Sequence, residues 1–165
     1  ATSSVVSLAY PESAFGEPMT SHGWLEADPA PISGITVSSA KWADRAPAGM
    51  VLIRAFVPER LGSIASGTDA ELLAAVTGHL AEVLSLRAEP EVTRVRRWQG
   101  VMPKYTVGHP ARVAEIEAAI AGLPSWRVAG SALRGVGVPD CVADGRRQAE
   151  QVLGGVRAGV DRVGR

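Results

Sequence analysis

The chain has 165 residues, of which 46% are hydrophobic and 21% charged, and Lys+Arg balance Asp+Glu at 17 each. Such a composition buries a core and excludes a disordered chain, while zero net charge leaves no field to gather nucleic acid. No apolar run approaches the roughly 20 residues required to cross a bilayer, so no transmembrane segment is expected.

In chain order, Val5 to Tyr10 reads as a strand ended by Pro11, already under way without an initiating methionine, which suggests a cut from something longer. Gly23-Trp24-Leu25 is a short strand within a long loop, and Ile35 to Ser39 alternates as a half-buried strand does. A turn over Asp44 to Gly49 precedes the apolar run Met50 to Val57, which predicts a strand antiparallel to its predecessor. From Thr68 the period becomes helical: Leu72, Leu73, Val76, Leu80, Val83 and Leu84 share a face, and Thr68 or Asp69 can cap it. Glu91 to Trp98 resumes as a strand whose phase slips between Val92 and Val95, as a bulge would make it. A helix over Pro110 to Ala121, a short strand over Trp126 to Gly130 and a helix from Asp140 to about Leu153 complete the elements, with a frayed tail after them. The expected fold class is α+β: a mixed, mostly antiparallel sheet with flanking helices, then a strand, a glycine turn and a helix.

Chemistry is sparse. Cys141 is a lone cysteine, which fits a reducing compartment, and residues Ala1 to Tyr10 lack a secretory signal, so a cytoplasmic setting is expected. His22, His79 and His109 stand at no metal-ligand spacing, and no metal is expected. The densest signal is the glycine-rich run Val128 to Cys141, where missing side chains let a ligand approach the backbone ahead of a helix N-terminus. On pattern alone a plain strand-to-helix turn capped by Asp140 explains it equally well. The arginines around Trp98 read as the solvated face of a strand.

The run Ala129-Gly130 … Gly135-Val136-Gly137-Val138-Pro139-Asp140-Cys141 … Gly145-Arg146 resembles the C-terminal signature of protoporphyrinogen and coproporphyrinogen oxidases, within the flavin amine oxidase superfamily. Arg97-Trp98 … Met102-Pro103-Lys104-Tyr105 … Gly108-His109 is similar to that family's Arg-Trp … Ile-Pro-Gln-Tyr … Gly-His segment, with Lys104 in place of the glutamine. Val37-Ser38-Ser39 … Arg45-Ala46-Pro47 extends the resemblance over nearly the whole chain. It implies a porphyrinogen substrate, FAD as cofactor, oxygen as acceptor and a place in haem biosynthesis, with room for peripheral membrane association. It implies that Trp98, Gly130, Val136, Gly137 and Val138 lie against FAD, and that Leu25 and Phe56 line an apolar substrate pocket. It assigns no catalytic acid or base here. Glu26, in a segment where the family is apolar, is expected in the pocket wall and leaves the choice of porphyrinogen open.

The resemblance further implies that residues 1–125 belong to a substrate-binding domain, 126–155 complete an FAD-binding domain and 156–165 form a tail. The Gly-x-Gly-x-x-Gly turn that grips the FAD pyrophosphate does not occur in the chain. The expectation is therefore a fragment, inactive alone, that needs the N-terminal FAD-binding part of the same protein or covers its exposed apolar surface as a homodimer. The alternative is a free-standing, non-catalytic module that binds a porphyrin or a partner protein.

Overall fold

Residues 2–27, 29–123 and 126–163 are described in the computed structural model, with side chains through residue 154. The chain divides into two units, Ala1–Val101 and Met102–Arg165. The first contains β1 (Ser3–Pro11), β2 (Gly23–Leu25), β3 (Gly34–Val37), α1 (Ser38–Lys41), β4 (Met50–Pro58), α2 (Ser63–Ser66), α3 (Asp69–Leu84) and β5 (Val92–Trp98); the second contains α4 (His109–Ile120) and α5 (Val138–Val163). The five strands form one sheet in the order β2-β3-β4-β1-β5, and every neighbouring pair is antiparallel. The α+β class read from the sequence is thus the observed one.

Strand alternation decides what each face of this sheet carries. Val6, Leu8 and Tyr10 of β1, Ile35 and Val37 of β3, and Val51, Ile53, Ala55 and Val57 of β4 are buried in one cluster with Leu72, Val76 and Leu80 of α3. β-branched and aromatic side chains suit a pleated surface, and the helix supplies residues at three- and four-residue steps to meet them. Each fully buried Leu, Ile or Val contributes about 1.5–3 kcal/mol of hydrophobic stabilisation. Tyr10 meets Phe15 edge-on at a ring separation of 5.9 Å, and burial, aided by the charge of Glu89, pushes its phenol up to about 12.

Local chemistry positions the helix layer. The Thr68 hydroxyl accepts from the Glu71 amide at 3.2 Å, and the Glu71 carboxylate accepts from the Thr68 amide at 2.7 Å. This reciprocal cap fixes the start of α3. The Arg97 guanidinium then ties the edge strand β5 to that start, donating to Asp69 at 2.8 Å and to the carbonyls of Ala65 and Gly67 at 2.7 Å each. Glu26, just past β2, lies in the same layer: it accepts from the Trp24 indole at 2.7 Å and sits 3.3 Å from His79 of α3.

Several expectations are corrected. β5 pairs with β1 without interruption, so there is no bulge; Val92 simply points away from the helix layer and Val95 toward it. Ser38 and Ser39 begin α1 instead of extending β3, and the Ser39 hydroxyl accepts the Leu52 amide at 3.1 Å, just past the last β3–β4 pair. Residues 126–130 form no strand, because no other strand among the described residues lies alongside to complete a ladder. α5 begins at Val138, two residues before Asp140, with the Cys141 amide bonded to the Gly137 carbonyl at 2.9 Å. It continues through the expected tail to Val163.

Leu80→Ala is expected to destabilise the first unit by about 2–5 kcal/mol in chemical denaturation; a loss below 1 kcal/mol would show that α3 is not the principal cover of the sheet. The Glu26 carboxyl is held below its ordinary value of 4.5, first by the Trp24 indole and then by His79, against an opposing push from burial. Its contribution to stability is therefore present above pH 4.5 and is lost as pH falls through the lowered folded value. Glu26→Gln should lower stability at neutral pH and remove that part of the acid limb, whereas an unchanged stability profile from pH 7 to pH 3 would contradict the assigned interaction.

Candidate functional site

The face of the sheet turned away from α3 carries the first set of candidate residues. Gly34 of β3 pairs with Leu25 of β2 on one side and Phe56 of β4 on the other, and Phe56 pairs in turn with Val5 of β1. One row across four strands therefore reads Leu25, Gly34, Phe56, Val5. Leu25 is 89% exposed, while Phe56 is half-buried. Gly34, at φ 151°, occupies a backbone state that a side chain could not share: a Cβ there would lie 2.4 Å from the Trp24 carbonyl oxygen. The row is thus a shallow apolar floor between two large side chains.

Trp98, at the end of β5, lies on this same face because Arg97 beside it turns to the helix layer; it is 43% exposed and the Arg96 guanidinium lies 5.0 Å from its ring centroid. The fold brings Leu25, Phe56 and Trp98 onto one surface. It does not bring Glu26 there. Parity puts Trp24 toward the core and Leu25 away from it, and Glu26 is drawn to the Trp24 indole and His79. The expectation that Glu26 belongs to a pocket wall on the Leu25 side is overturned by that pairing.

The second candidate lies within the unit of residues 102–165: the loop from Gly130 into the first turn of α5. Gly130 and Gly135 have φ of 129° and 152°, a region that L side chains rarely adopt. A Cβ on Gly135 would fall 2.7 Å from the Asp140 Cβ, and one on Gly137 would fall 2.8 Å from its carboxylate. Asp140 is not a cap preceding the helix, as the turn reading had it; it lies in the first turn and packs back against both glycines. Val136 and Val138 are 50% and 76% exposed. Cys141 donates its thiol hydrogen weakly to the Gly135 carbonyl at 3.4 Å, a structural contact.

Anchors that the sequence reading did not recognise hold this loop. The Asp144 side chain of α5, 4% exposed, accepts from both ends of the segment. The Gly130 amide donates to it at 3.3 Å and the Arg134 guanidinium at 3.0 and 3.1 Å. Arg147 and Gln148, one turn further along α5, donate to the same carboxylate at 2.7 and 3.5 Å. Burial pushes the Asp144 carboxyl up, but the Gly130 amide, Arg147, Arg134 and Gln148 together hold it below its ordinary 3.8. Arg134 also donates to Glu117 of α4 and to the Val128 carbonyl.

Tyr105 and His109 complete the support. Their rings stack at 4.3 Å with an angle of 11°; the Tyr105 hydroxyl donates to the Ser131 carbonyl, and His109 Nε2 lies 2.9 Å from the Leu133 carbonyl. A carbonyl only accepts, so that nitrogen carries the hydrogen. The Tyr105 … Gly108-His109 motif is thus the clamp on the glycine loop, a relation invisible from spacing alone. The glycines at 135 and 137 make room for the Asp140 side chain, and Val136 and Val138 beside them stay exposed. Among the described residues no group of three or more His, Cys, Asp or Glu could hold a metal ion, and no helix is long and apolar enough to cross a membrane.

A family model described as flavin containing amine oxidoreductase matches residues 1–153. The chain belongs to that family. Within it, the chain is 51% identical over 93% of its length to a coproporphyrinogen III oxidase from Propionibacterium freudenreichii and 36% identical over 74% to one from Bacillus subtilis, spanning 29% and 26% of those proteins. A solved structure from Exiguobacterium sp. 255-15, provisionally described as a protoporphyrinogen oxidase, superposes with a TM-score of 0.72 at 27% identity, covering 92% of this chain and 34% of that one. A reduced UDP-galactopyranose mutase structure, at 16% identity and a TM-score of 0.59 over 73% of this chain and 26% of that one, shares the fold. The chain thus spans about a third or less of the proteins it matches.

Two substitutions test the anchors. Asp144→Ala is expected to cost about 2–3 kcal/mol, since Arg134 retains Glu117 but the Gly130 amide and Arg147 lose a charged partner; an unchanged melting temperature would contradict it. Tyr105→Phe should accelerate hydrogen exchange in residues 130–137 and leave α3 unaffected.

Proposed function

We propose that the chain is the C-terminal part of an FAD-dependent porphyrinogen oxidase of haem biosynthesis, which oxidises coproporphyrinogen III to the porphyrin in the cytoplasm with oxygen as acceptor. The observation that carries this reading is the 51% identity over 93% of the chain to a coproporphyrinogen III oxidase, joined to a sheet face of matching chemistry turned away from α3. A relative named protoporphyrinogen oxidase, from Oryza sativa, is 29% identical, which favours coproporphyrinogen III over protoporphyrinogen IX.

On this reading the row Leu25, Gly34, Phe56, Val5 receives one face of the tetrapyrrole, whose flat apolar surface gains by leaving water. Phe56 and Leu25 set its lateral position, and Gly34 lets it sit close to the backbone. Trp98 and the backbone of Gly130, Val136, Gly137 and Val138 lie against the cofactor, and Tyr105, His109 and Asp144 hold that backbone in shape. FAD, when bound, supplies the acceptor for the substrate's electrons. This chain's residues bind and orient; no acid or base is assigned among them. The pyrophosphate and ribose grip belongs to a portion of the protein outside this chain, so the chain alone is inactive and its exposed apolar side chains, among them Val138, Val142 and Leu153 of α5, are covered by that portion or by a second copy.

The experiment is to express the full-length protein, record its flavin absorbance and follow porphyrin fluorescence from coproporphyrinogen III and protoporphyrinogen IX. Bound flavin with faster turnover of coproporphyrinogen III is expected. A folded, flavin-free protein that binds porphyrin without oxidising a porphyrinogen would replace the enzyme reading with that of a binding module.

A further inference from the structure

The sheet face turned away from α3 has a second row beside its apolar one. Thr36 of β3 pairs with Arg54 of β4, Arg54 with Ser7 of β1, and Ser7 with Arg94 of β5. Arg54 and Arg94 therefore flank one small hydroxyl residue, with Cα atoms roughly 10 Å apart by two strand spacings. Arg96 lies two residues along β5 from Arg94, opposite Val5, and completes a basic corner around the apolar floor. All of these guanidinium groups are exposed.

These cations meet no counter-charge among the strand residues of their own face. The strand positions turned to this face include no Asp or Glu. By contrast, Arg97, the arginine of β5 that faces the helix layer, is bonded to Asp69. Among the described residues Arg54, Arg94 and Arg96 meet no carboxylate; Arg54 and Arg96 instead rest over the rings of Phe56 and Trp98 at 5.8 and 5.0 Å. Charges on an edge strand guard it against pairing with another chain, which accounts for Arg94 and Arg96 on β5. It does not account for Arg54, which lies on β4 with a strand on either side. Like charges gathered on one exposed face repel only weakly through water, and an anion seated between them gains from all of them.

We infer that Arg54 and Arg94, with Arg96, are the specificity-determining residues that read peripheral carboxylates of the tetrapyrrole, and select a substrate with four carboxylates over one with two. The inference rests on the porphyrinogen reading above and deepens it. A flat ring on the Leu25–Phe56 row extends its carboxylate arms sideways into the neighbouring row, where Arg54, held over Phe56, and Arg94 present N–H donors, with Arg96, held over Trp98, beside them. Coproporphyrinogen III carries four such arms. Protoporphyrinogen IX carries two, with vinyl groups in the other places, and leaves part of the basic corner unpaired.

The test uses the full-length flavoprotein and compares KM and kcat for both porphyrinogens. The double variant Arg54→Gln, Arg94→Gln is expected to raise KM for coproporphyrinogen III by about tenfold or more and that for protoporphyrinogen IX by less than about threefold, with kcat nearly unchanged, as lost charge-assisted binding requires. The charge-retaining pair Arg54→Lys, Arg94→Lys should recover most of the discrimination. In the unsubstituted enzyme, raising ionic strength should increase KM for coproporphyrinogen III more steeply than for protoporphyrinogen IX, a measurement that does not depend on any variant folding. Equal changes for the two substrates, or none, would overturn the inference and leave the oxidase reading intact. Failure of the unsubstituted flavoprotein to oxidise either substrate would instead overturn the reading on which it rests.

Discussion

The packing of one helix on one face of an antiparallel sheet is the constraint from which the rest follows. Because strand side chains alternate, burying Val6, Leu8, Tyr10, Ile53, Ala55 and Val57 under α3 commits Val5, Arg54 and Phe56 to the opposite face. A one-residue slip of β4 against β1 would exchange those sets, placing Arg54 in the core and Ile53 in water. The register is therefore enforced by hydrophobic burial, and the candidate surface is its by-product. Nothing about Phe56 or Leu25 needs to stabilise the fold for them to be held in position.

The second unit reaches the same end by polar means. Its loop from Gly130 to Gly137 has little apolar side chain to bury, and its backbone conformations at Gly130 and Gly135 are open only to glycine. Its shape is instead imposed by hydrogen bonds from outside: Asp144 gathers the Gly130 amide and Arg134, while Tyr105 and His109 take the Ser131 and Leu133 carbonyls. Such a network works only if each buried member is satisfied. The nearly buried Asp144 meets that condition with donors from a loop amide, two arginines and a glutamine. A loop so held can offer its backbone without spending side chains on its own support.

What the sequence disclosed depended on whether the deciding contact was local. β4 was legible because Gly49 and Pro58 bound an apolar run, and α3 because its apolar period coincides with a Thr68–Glu71 cap. The antiparallel pairing of β3 with β4 followed from the turn between them. The direction of Glu26 was not legible, since it depends on the pairing of Trp24 with Ile35 and on His79, 53 residues away. Asp144 in mid-helix looks like any solvated acid until Gly130 and Arg134 are placed beside it. Trp126 to Gly130 has the composition of a strand, but composition does not supply the neighbour that a strand requires. Arg94 and Arg96 read as the solvated face of a strand, and the face they share with Arg54 appears only once β1 is inserted between β4 and β5.

The two rows of the face turned away from α3, one apolar and one basic, are thus set by the same register that builds the core. The most direct measurement of the central claim is a crystal structure of the full-length flavoprotein with coproporphyrin III bound. The account predicts the macrocycle lying over Gly34 between Leu25 and Phe56, with carboxylates toward Arg54 and Arg94. A macrocycle bound elsewhere, with the Leu25–Phe56 row covered by protein, would contradict it.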